Sequence, residues 1–184
     1  IGKNVKAAAG DILISARNFA DKSKYSNSAN SLQSFGGGLG TATALGATTL
    51  LGSPSERFGA RVSVGQGSEL VADSSGAAGG RLRIETVTDV YAVDKVRIDA
   101  LGGAALNTAS AIQNAQLMSN IVIDGAKVHN LNGNLEMATQ TVARLFSNAN
   151  SFAMAAVAGA NANAITRLNS DNLITLTNAD LIGS

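Results

Sequence analysis

The chain has 184 residues, of which 32 are Ala and 20 are Gly, while aromatic residues make up only 4%. A formal net charge of +1 and the absence of Cys exclude the clustered basic surface of a nucleic-acid-binding protein, a disulfide framework and thiolate metal sites. No apolar run approaches the roughly 20 residues that span a bilayer.

The first third of the chain alternates between strand-like and loop-like segments. Gly10–Ala16 has a glycine followed by aliphatic residues at every second position and predicts a strand. Residues 17–35 are rich in Ser, Asn and Lys and predict a loop. Gly36–Gly40 predicts a turn or loop; it is not a phosphate-binding loop, because no Lys followed by Ser or Thr comes after it. Thr41–Ala44 predicts a strand, and Leu51–Phe58, which holds the single proline, predicts a second loop.

The middle of the chain introduces a pattern of two short strands separated by a small turn. Val62–Val64 followed by Ser68–Ala72 shows it first. Gly80–Ile84 then repeats the form of the Gly10–Ala16 segment, a glycine followed by aliphatic residues at every second position. Its charged residues, Arg81, Arg83 and Glu85, are expected on the outer face of a strand.

Three carboxylates form the best candidate for chemistry. Asp89, Asp94 and Asp99 recur at five-residue intervals, with Lys95 and Arg97 between them. Polysaccharide-acting enzymes use pairs of carboxylates as acid and base, so this segment could line a substrate groove. The alternative is a half-buried strand whose charges form a solvated outer face, and we favour this alternative.

The last third repeats both patterns. Ile121–Ile123 with Ala126–Val128, and Ile174–Leu176 with Ala179–Ile182, have the form of two strands and a turn, and Gly133–Ala138 has the glycine-led form. Residues 139–165 show period-two alanines that favour a strand, although helical spacing of their larger apolar residues leaves a helix open; residues 101–118 share this ambiguity. His129, the only histidine, has no partners for a triad or a zinc site and is expected at the surface or in a turn.

These patterns recur along the chain at unequal intervals. The two-strand pattern begins at residues 62, 121 and 174, and the glycine-led pattern at residues 10, 80 and 133. Such periods indicate a solenoid, a propeller or an array. Few tight hairpin signals (Asp124-Gly125 and Asn132-Gly133) and a single proline favour a solenoid, in which nearly every strand lies between two others.

The predicted fold is therefore mainly β: a right-handed parallel β-helix, or β-solenoid, with Ala/Gly/Ser-rich loop excursions, forming a single repetitive segment over residues 1–184. Because residue 1 is Ile rather than an initiator Met, we expect this segment to be an excerpt of a longer protein. Stacked aliphatic ladders would supply a narrow core. The residues expected to point inward are Val62, Val64, Ile84, Ile98, Ile121, Ile123, Leu135, Ile174 and Leu176.

With these patterns and the Ala/Ser/Gly-rich spacers between them, the chain from Gly10 to Ile182 resembles the large repetitive secreted bacterial adhesins of the filamentous haemagglutinin type, including leukotoxin-like filamentous adhesins. The resemblance implies a right-handed parallel β-helix, secretion to the bacterial cell surface, and a structural or adhesive role. The irregular unit lengths depart from that family.

The expected function is a non-enzymatic structural segment of a secreted, cell-surface adhesin or extracellular filament. No catalytic, cofactor-binding or metal-binding residue is predicted. The expected partners are neighbouring repeats or further copies of the same protein, end to end, together with a host or cell-surface receptor or glycan. The alternative function is a polysaccharide-acting β-helix enzyme, a lyase or glycosidase, using the Asp89 to Asp99 segment.

Overall fold

A computed structural model describes residues 1–22, 32–73 and 80–183. Strands account for 82% of these residues, which contain no helix. Residues 101–118 and 139–165 are therefore strand, as their period-two alternation favoured. In chain order the strands are β1 (Lys6–Ala9), β2 (Ile12–Lys22), β3 (Leu32–Gly38), β4 (Thr41–Leu51), β5 (Phe58–Val64), β6 (Glu69–Ala72), β7 (Leu82–Asp124), β8 (Lys127–Asn130), β9 (Leu135–Thr177) and β10 (Asp180–Ile182).

The main sheet consists of three layers of parallel chain. The long strand β7 pairs in parallel with β2, β3, β4 and β5 on one side and with β9 on the other. We call β2–β5 the first layer, β7 the second and β9 the third. Val62 pairs with Ile121, which pairs with Ile174. The residues that the sequence patterns align are thus direct neighbours in the sheet.

Each layer doubles back on itself, as the burial of β7 shows. Even-numbered positions from Leu82 to Ala100 are buried, and odd-numbered positions from Ala105 to Ile123 are buried. The change of parity occurs at Gly102-Gly103, where a Cβ on Gly102 would lie 2.0 Å from the Gly38 carbonyl oxygen. We call residues 82–100 the first arm of the layer and residues 105–124 the second arm. The inward faces of the two arms pack against each other.

The side chains of the core become smaller from the base of the layer, where β7 begins and ends, towards its tip, where the two arms join at Gly102-Gly103. At the base Leu82 and Ile84 pack with Ile121 and Ile123. Nearer the tip, Val96 and Ile98 of the first arm face alanines of the second arm, Ala109 and Ala111. Large side chains opposite small ones fill a thin space without voids. This pairing explains why the chain needs so much alanine and so few aromatic residues.

A second, smaller sheet closes the base of the layers. Its parallel strands lie in the order β1-β6-β8-β10. Two residues before each of these strands the backbone adopts a positive φ, at Asn4 (58°), Gly67 (74°), Gly125 (59°) and Asn178 (48°). Glycine and asparagine tolerate this conformation better than other residues. The same turn therefore introduces each base strand.

Several segments that were predicted as loops are strands. Residues 17–22 complete β2 and residues 32–35 begin β3; the rest of this predicted loop, residues 23–31, lies outside the described residues. Gly36–Gly38 also belong to β3, and only Leu39-Gly40 form a bend. The polar residues misled the prediction because outward positions of these strands face solvent. The prediction for Leu51–Phe58 is confirmed for Gly52–Arg57, which lie between β4 and β5.

The residues expected to point inward fall into two groups. Those of the first two layers, Val62, Val64, Ile84, Ile98, Ile121 and Ile123, are buried. Leu135 of the third layer is half-buried and packs against the core at the base. Ile174 and Leu176 continue the ladders of Ile121 and Ile123 but are 39% and 47% exposed, because no described strand covers the far side of β9.

Candidate functional site

Asp94 lies inside the molecule rather than on a solvated face. It has the same parity as Val96 and Ile98, so its side chain points between the arms, where it is almost completely buried. Lys22 Nζ donates to Asp94 Oδ1, and Thr49 Oγ1 donates to Asp94 Oδ2 at 2.6 Å. Both carboxylate oxygens are thus engaged. The expectation of a solvated position was wrong for Asp94, and its parity with Val96 was the signal that could have corrected it.

Asp89 and Asp99 lie on the opposite face of the same arm. Their odd-numbered positions point outward. Asp99 Oδ2 accepts a hydrogen bond from Arg97 Nε at 2.8 Å, and Asp89 Oδ1 lies 3.9 Å from Arg144 Nη1. The structure therefore does not bring the three carboxylates together, because the strand places Asp94 on one face and the other two on the other.

The most strongly perturbed acid is Glu85, which belongs to an ion network across the three layers. Glu85 Oε1 accepts from Arg17 Nη2 and from Ser15 Oγ, each at 2.9 Å, and Glu85 Oε2 accepts from Arg83 Nε at 2.9 Å. Arg83 Nη1 also donates to Glu136 Oε1 at 2.8 Å. These hydrogen bonds, that from Arg17 foremost, lower the pKa of Glu85 from 4.5 to about 2. The network joins neighbouring layers on the outer face.

In every layer a side-chain hydrogen bond joins the two arms, and the sequence did not predict it. In the second layer Thr88 Oγ1 donates to the Met118 carbonyl oxygen at 2.6 Å and accepts from Ser119 Oγ at 2.9 Å. At the same level of the other layers, Asn18 Nδ2 donates to the Gly59 carbonyl oxygen at 3.1 Å, and Thr141 Oγ1 donates to Asn172 Oδ1 at 2.6 Å. In the second layer these hydrogen bonds satisfy polar groups within the core, whereas the bond of the third layer lies on the exposed side of the stack.

His129 lies in a strand of the base sheet rather than in a turn, on the outward face between the buried Val128 and Asn130, where it is half-buried. It is part of β8, and its Nε2 lies 3.1 Å from Asp180 Oδ2 of β10. Among the described residues no group of three or more His, Cys, Asp or Glu could hold a metal ion.

In the part of the chain that the structure describes, the main sheet has two open edges. Among the described residues, β9 pairs only with β7, and so do β2–β5. The edge of β9 is 43 residues long. Exposed edges of this kind offer unpaired N–H and C=O groups to a further strand.

Charge on the base sheet alternates from layer to layer. Lys6, Glu69, Lys127 and Asp180 are direct neighbours in that order across the four strands. The Lys6 Nζ and Glu69 Oε2 atoms lie 3.6 Å apart. Opposite charges on neighbouring strands stabilise this register, whereas like charges would oppose it.

The described residues contain no helix that could cross a membrane. Comparison of the chain with protein family models, with curated proteins and with solved structures found no match. The likeness to filamentous adhesins therefore rests on the sequence pattern alone.

Proposed function

We propose that this chain is a non-enzymatic structural segment of a secreted, cell-surface adhesin or extracellular filament, built as a right-handed parallel β-helix. The observation that carries the proposal is the in-register stack of three parallel layers, open at both edges among the described residues. Such a stack can lengthen by adding layers, each of which contacts only its neighbours.

The exposed apolar residues of the third layer support this proposal. Ile174 and Leu176 occupy ladder positions whose second-layer members, Ile121 and Ile123, are completely buried. A further layer on β9 would bury both side chains and pair the free backbone edge at the same time. Apolar burial and backbone hydrogen bonding would both stabilise the added layer, which favours growth along the stack over other contacts.

The arrangement of the acids supports a structural role over catalysis. A glycosidase or lyase needs two carboxylates directed at one substrate. Asp94 points inward with both oxygens bonded, while Asp89 and Asp99 point outward. A concavity of about 490 Å³ on the outer face of the second arm is lined by uncharged residues, among them Ala44, Thr108 and Asn161.

Sedimentation velocity and electron microscopy of the purified chain test the proposal. We expect concentration-dependent, elongated end-to-end assemblies. Ile174→Lys should abolish them because it places an unpaired charge on the inward ladder. Thr175→Lys, which changes the neighbouring outward position of the same strand, is the matched control and should leave assembly intact.

Two results would count against the proposal. One is a compact monomer at every concentration. The other is depolymerisation of pectin or alginate by the wild-type chain that is lost in Asp94→Ala, since this would establish the enzymatic alternative.

A further inference from the structure

The three layers end in an uncharged, apolar tip. We propose that this tip is a lipid-contacting surface, which enters the outer part of a phospholipid bilayer without crossing it. The tip consists of residues 36–42 of the first layer, 101–106 of the second and 154–159 of the third, the segments through which each layer doubles back. Growth at the sheet edges would leave this surface free, so the inference does not depend on the proposed function.

Charged residues are missing from the tip and from long stretches on both sides of it. Residues 32–55, 100–123 and 145–166 contain no Asp, Glu, Lys, Arg or His. The parallel register stacks these stretches on one another, since Gly102 pairs with Gly38 on one side and with Ala155 on the other. They thus form one uncharged block around the tip. Such a block can leave water at low cost, because it carries no ion to desolvate.

The large apolar side chains of the tip are all exposed. They are Leu39 (94%), Val157 (66%), Leu106 (60%), Met154 (58%) and Leu101 (39%). Leu39 is the most exposed large apolar residue in the described part of the chain, and it lies in the bend that joins β3 to β4. Several such residues on one uncharged surface indicate contact with an apolar partner, whereas single ones would need no explanation.

The backbone at the centre of the tip is compatible with an apolar environment, because its groups are paired. The strand β7 continues through the tip from one arm to the other, and Gly102 pairs with both Gly38 and Ala155. The Ala104 N–H donates to the Leu39 carbonyl oxygen at 3.0 Å. Peptide groups that are already hydrogen-bonded can approach lipid without losing a partner, whereas an irregular loop would carry unpaired groups.

The small size of the tip favours a bilayer over a second copy of the chain. Two arms about 10 Å apart and three layers about 4.8 Å apart give an end of roughly 10 by 14 Å. Contact between two such ends would bury far less than the roughly 800 Å² per partner of a stable protein interface. Lipid chains can instead surround a narrow convex tip on all sides and cover the same side chains more completely.

The nearest charges limit how deeply the tip can enter. On the first arm of the second layer, Asp99 lies three residues before Gly102, which is about 10 Å along the strand. Its Oδ2 accepts a hydrogen bond from Arg97 Nε. Surface-bound segments place their apolar side chains about 5–10 Å into the boundary between headgroups and acyl chains. At that depth Leu39 and Val157 would lie among acyl chains, while Arg97 and Asp99 would remain at the headgroups.

A single tryptophan can report the position of the tip, because the natural chain has no Trp. Leu39→Trp places the probe at the tip. Leu131→Trp, at a 47% exposed position in the turn between β8 and β9 at the base, is the matched control. The vesicles consist of phosphatidylcholine with a quencher on the acyl chains, and the protein is kept below its assembly concentration. We expect the fluorescence of Leu39→Trp to shift to the blue and to be quenched, and that of Leu131→Trp to stay unchanged.

A charged substitution tests the same surface by vesicle flotation. Leu39→Asp should lower the affinity for phosphatidylcholine vesicles by about tenfold or more, because an ion would have to enter the apolar region. Leu131→Asp should leave the affinity unchanged. Leu39 is almost fully exposed, so its replacement should not affect folding, which circular dichroism checks. Binding should persist when the salt concentration rises from about 0.1 M to 1 M, since no charge of the tip takes part.

Four results would overturn the inference. The first is a wild-type chain that does not float with phosphatidylcholine vesicles, and the second is equal quenching at positions 39 and 131. The third is binding that requires anionic lipid and disappears at high salt, since charges outside the tip would then carry it. The fourth is self-association that Leu39→Asp weakens in the absence of any vesicle binding, since the tip would then contact a second copy.

A variant of the sheet edge separates this inference from the proposed function. Ile174→Lys should abolish end-to-end assembly and leave vesicle binding intact, because Ile174 lies on the second arm near the base. Loss of vesicle binding in Ile174→Lys would show that lipid contacts the edge of β9 rather than the tip. A chain that binds vesicles but never assembles would contradict the proposed function alone.

Discussion

Ile121 and Ile174 occupy the same aliphatic ladder in the second and third layers. Replacing each of them with Ala, and measuring the loss of unfolding free energy, shows how strongly each position is buried. Ile121 is completely buried between Val62 and Ile174, whereas Ile174 itself is 39% exposed. Ile121→Ala removes three buried carbons, worth about 2.4 kcal/mol of transfer free energy at ~0.8 kcal/mol per carbon. The cavity left between two layers raises the loss in unfolding free energy to about 3–4 kcal/mol.

Ile174→Ala removes the same three carbons from the open side of the stack. About three fifths of the transfer term applies there, roughly 1.5 kcal/mol, and no closed cavity forms. Urea unfolding followed by circular dichroism, at a protein concentration below that of assembly, should give a difference of about 2 kcal/mol between the variants. Equal losses, or a larger loss for Ile174→Ala, would refute the burial of Ile121 between two layers.

Three further substitutions probe the ion network, the buried acid and the recurring turn. Glu85→Gln should lower the free energy of unfolding at neutral pH. The pKa of Glu85 is about 2 in the folded chain and 4.5 in the unfolded chain, so the difference from wild type should shrink as the pH falls from 4.5 to 2. A difference that stays constant over this pH range would contradict the ion network. Asp94→Asn should lower the free energy of unfolding by about 2–3 kcal/mol, because Lys22 loses its charged partner. Asp99→Asn, the control on the outer face, should lower it by less than about 1 kcal/mol. Equal losses would contradict the inward position of Asp94. Gly125 has a φ of 59°, so Gly125→Ala should lower the free energy of unfolding by about 1–2 kcal/mol, and Gly125→Asn should lower it clearly less. Thermal unfolding of both variants measures this, and the reverse order would contradict the turn.

The strands and the pairing of their aliphatic residues can be predicted from the sequence more easily than the polar contacts between the arms. Val62, Ile121 and Ile174 could be aligned from sequence because an aliphatic ladder repeats both residue type and spacing. The doubling back at Gly102-Gly103 could not be foreseen, since glycine is common along the chain and only the close approach of Gly38 distinguishes this site.

Polar residues at inward positions caused the largest errors. Asp94, Thr88 and Asn18 were not expected between the arms, because a polar side chain there is stabilised only by partners far away in sequence. Thr49 bonds Asp94 across 45 residues, and Met118 accepts from Thr88 across 30 residues. Such contacts follow from the layer geometry and leave no local pattern.

The most direct test of the central claim, an in-register parallel stack that grows at its open edges, is cryo-electron microscopy of the assembled chain. The account predicts filaments with strands perpendicular to the axis and a spacing of about 4.8 Å between layers. Assemblies formed through the outer faces of the arms, with the edges of β9 and β2–β5 left unpaired, would contradict it.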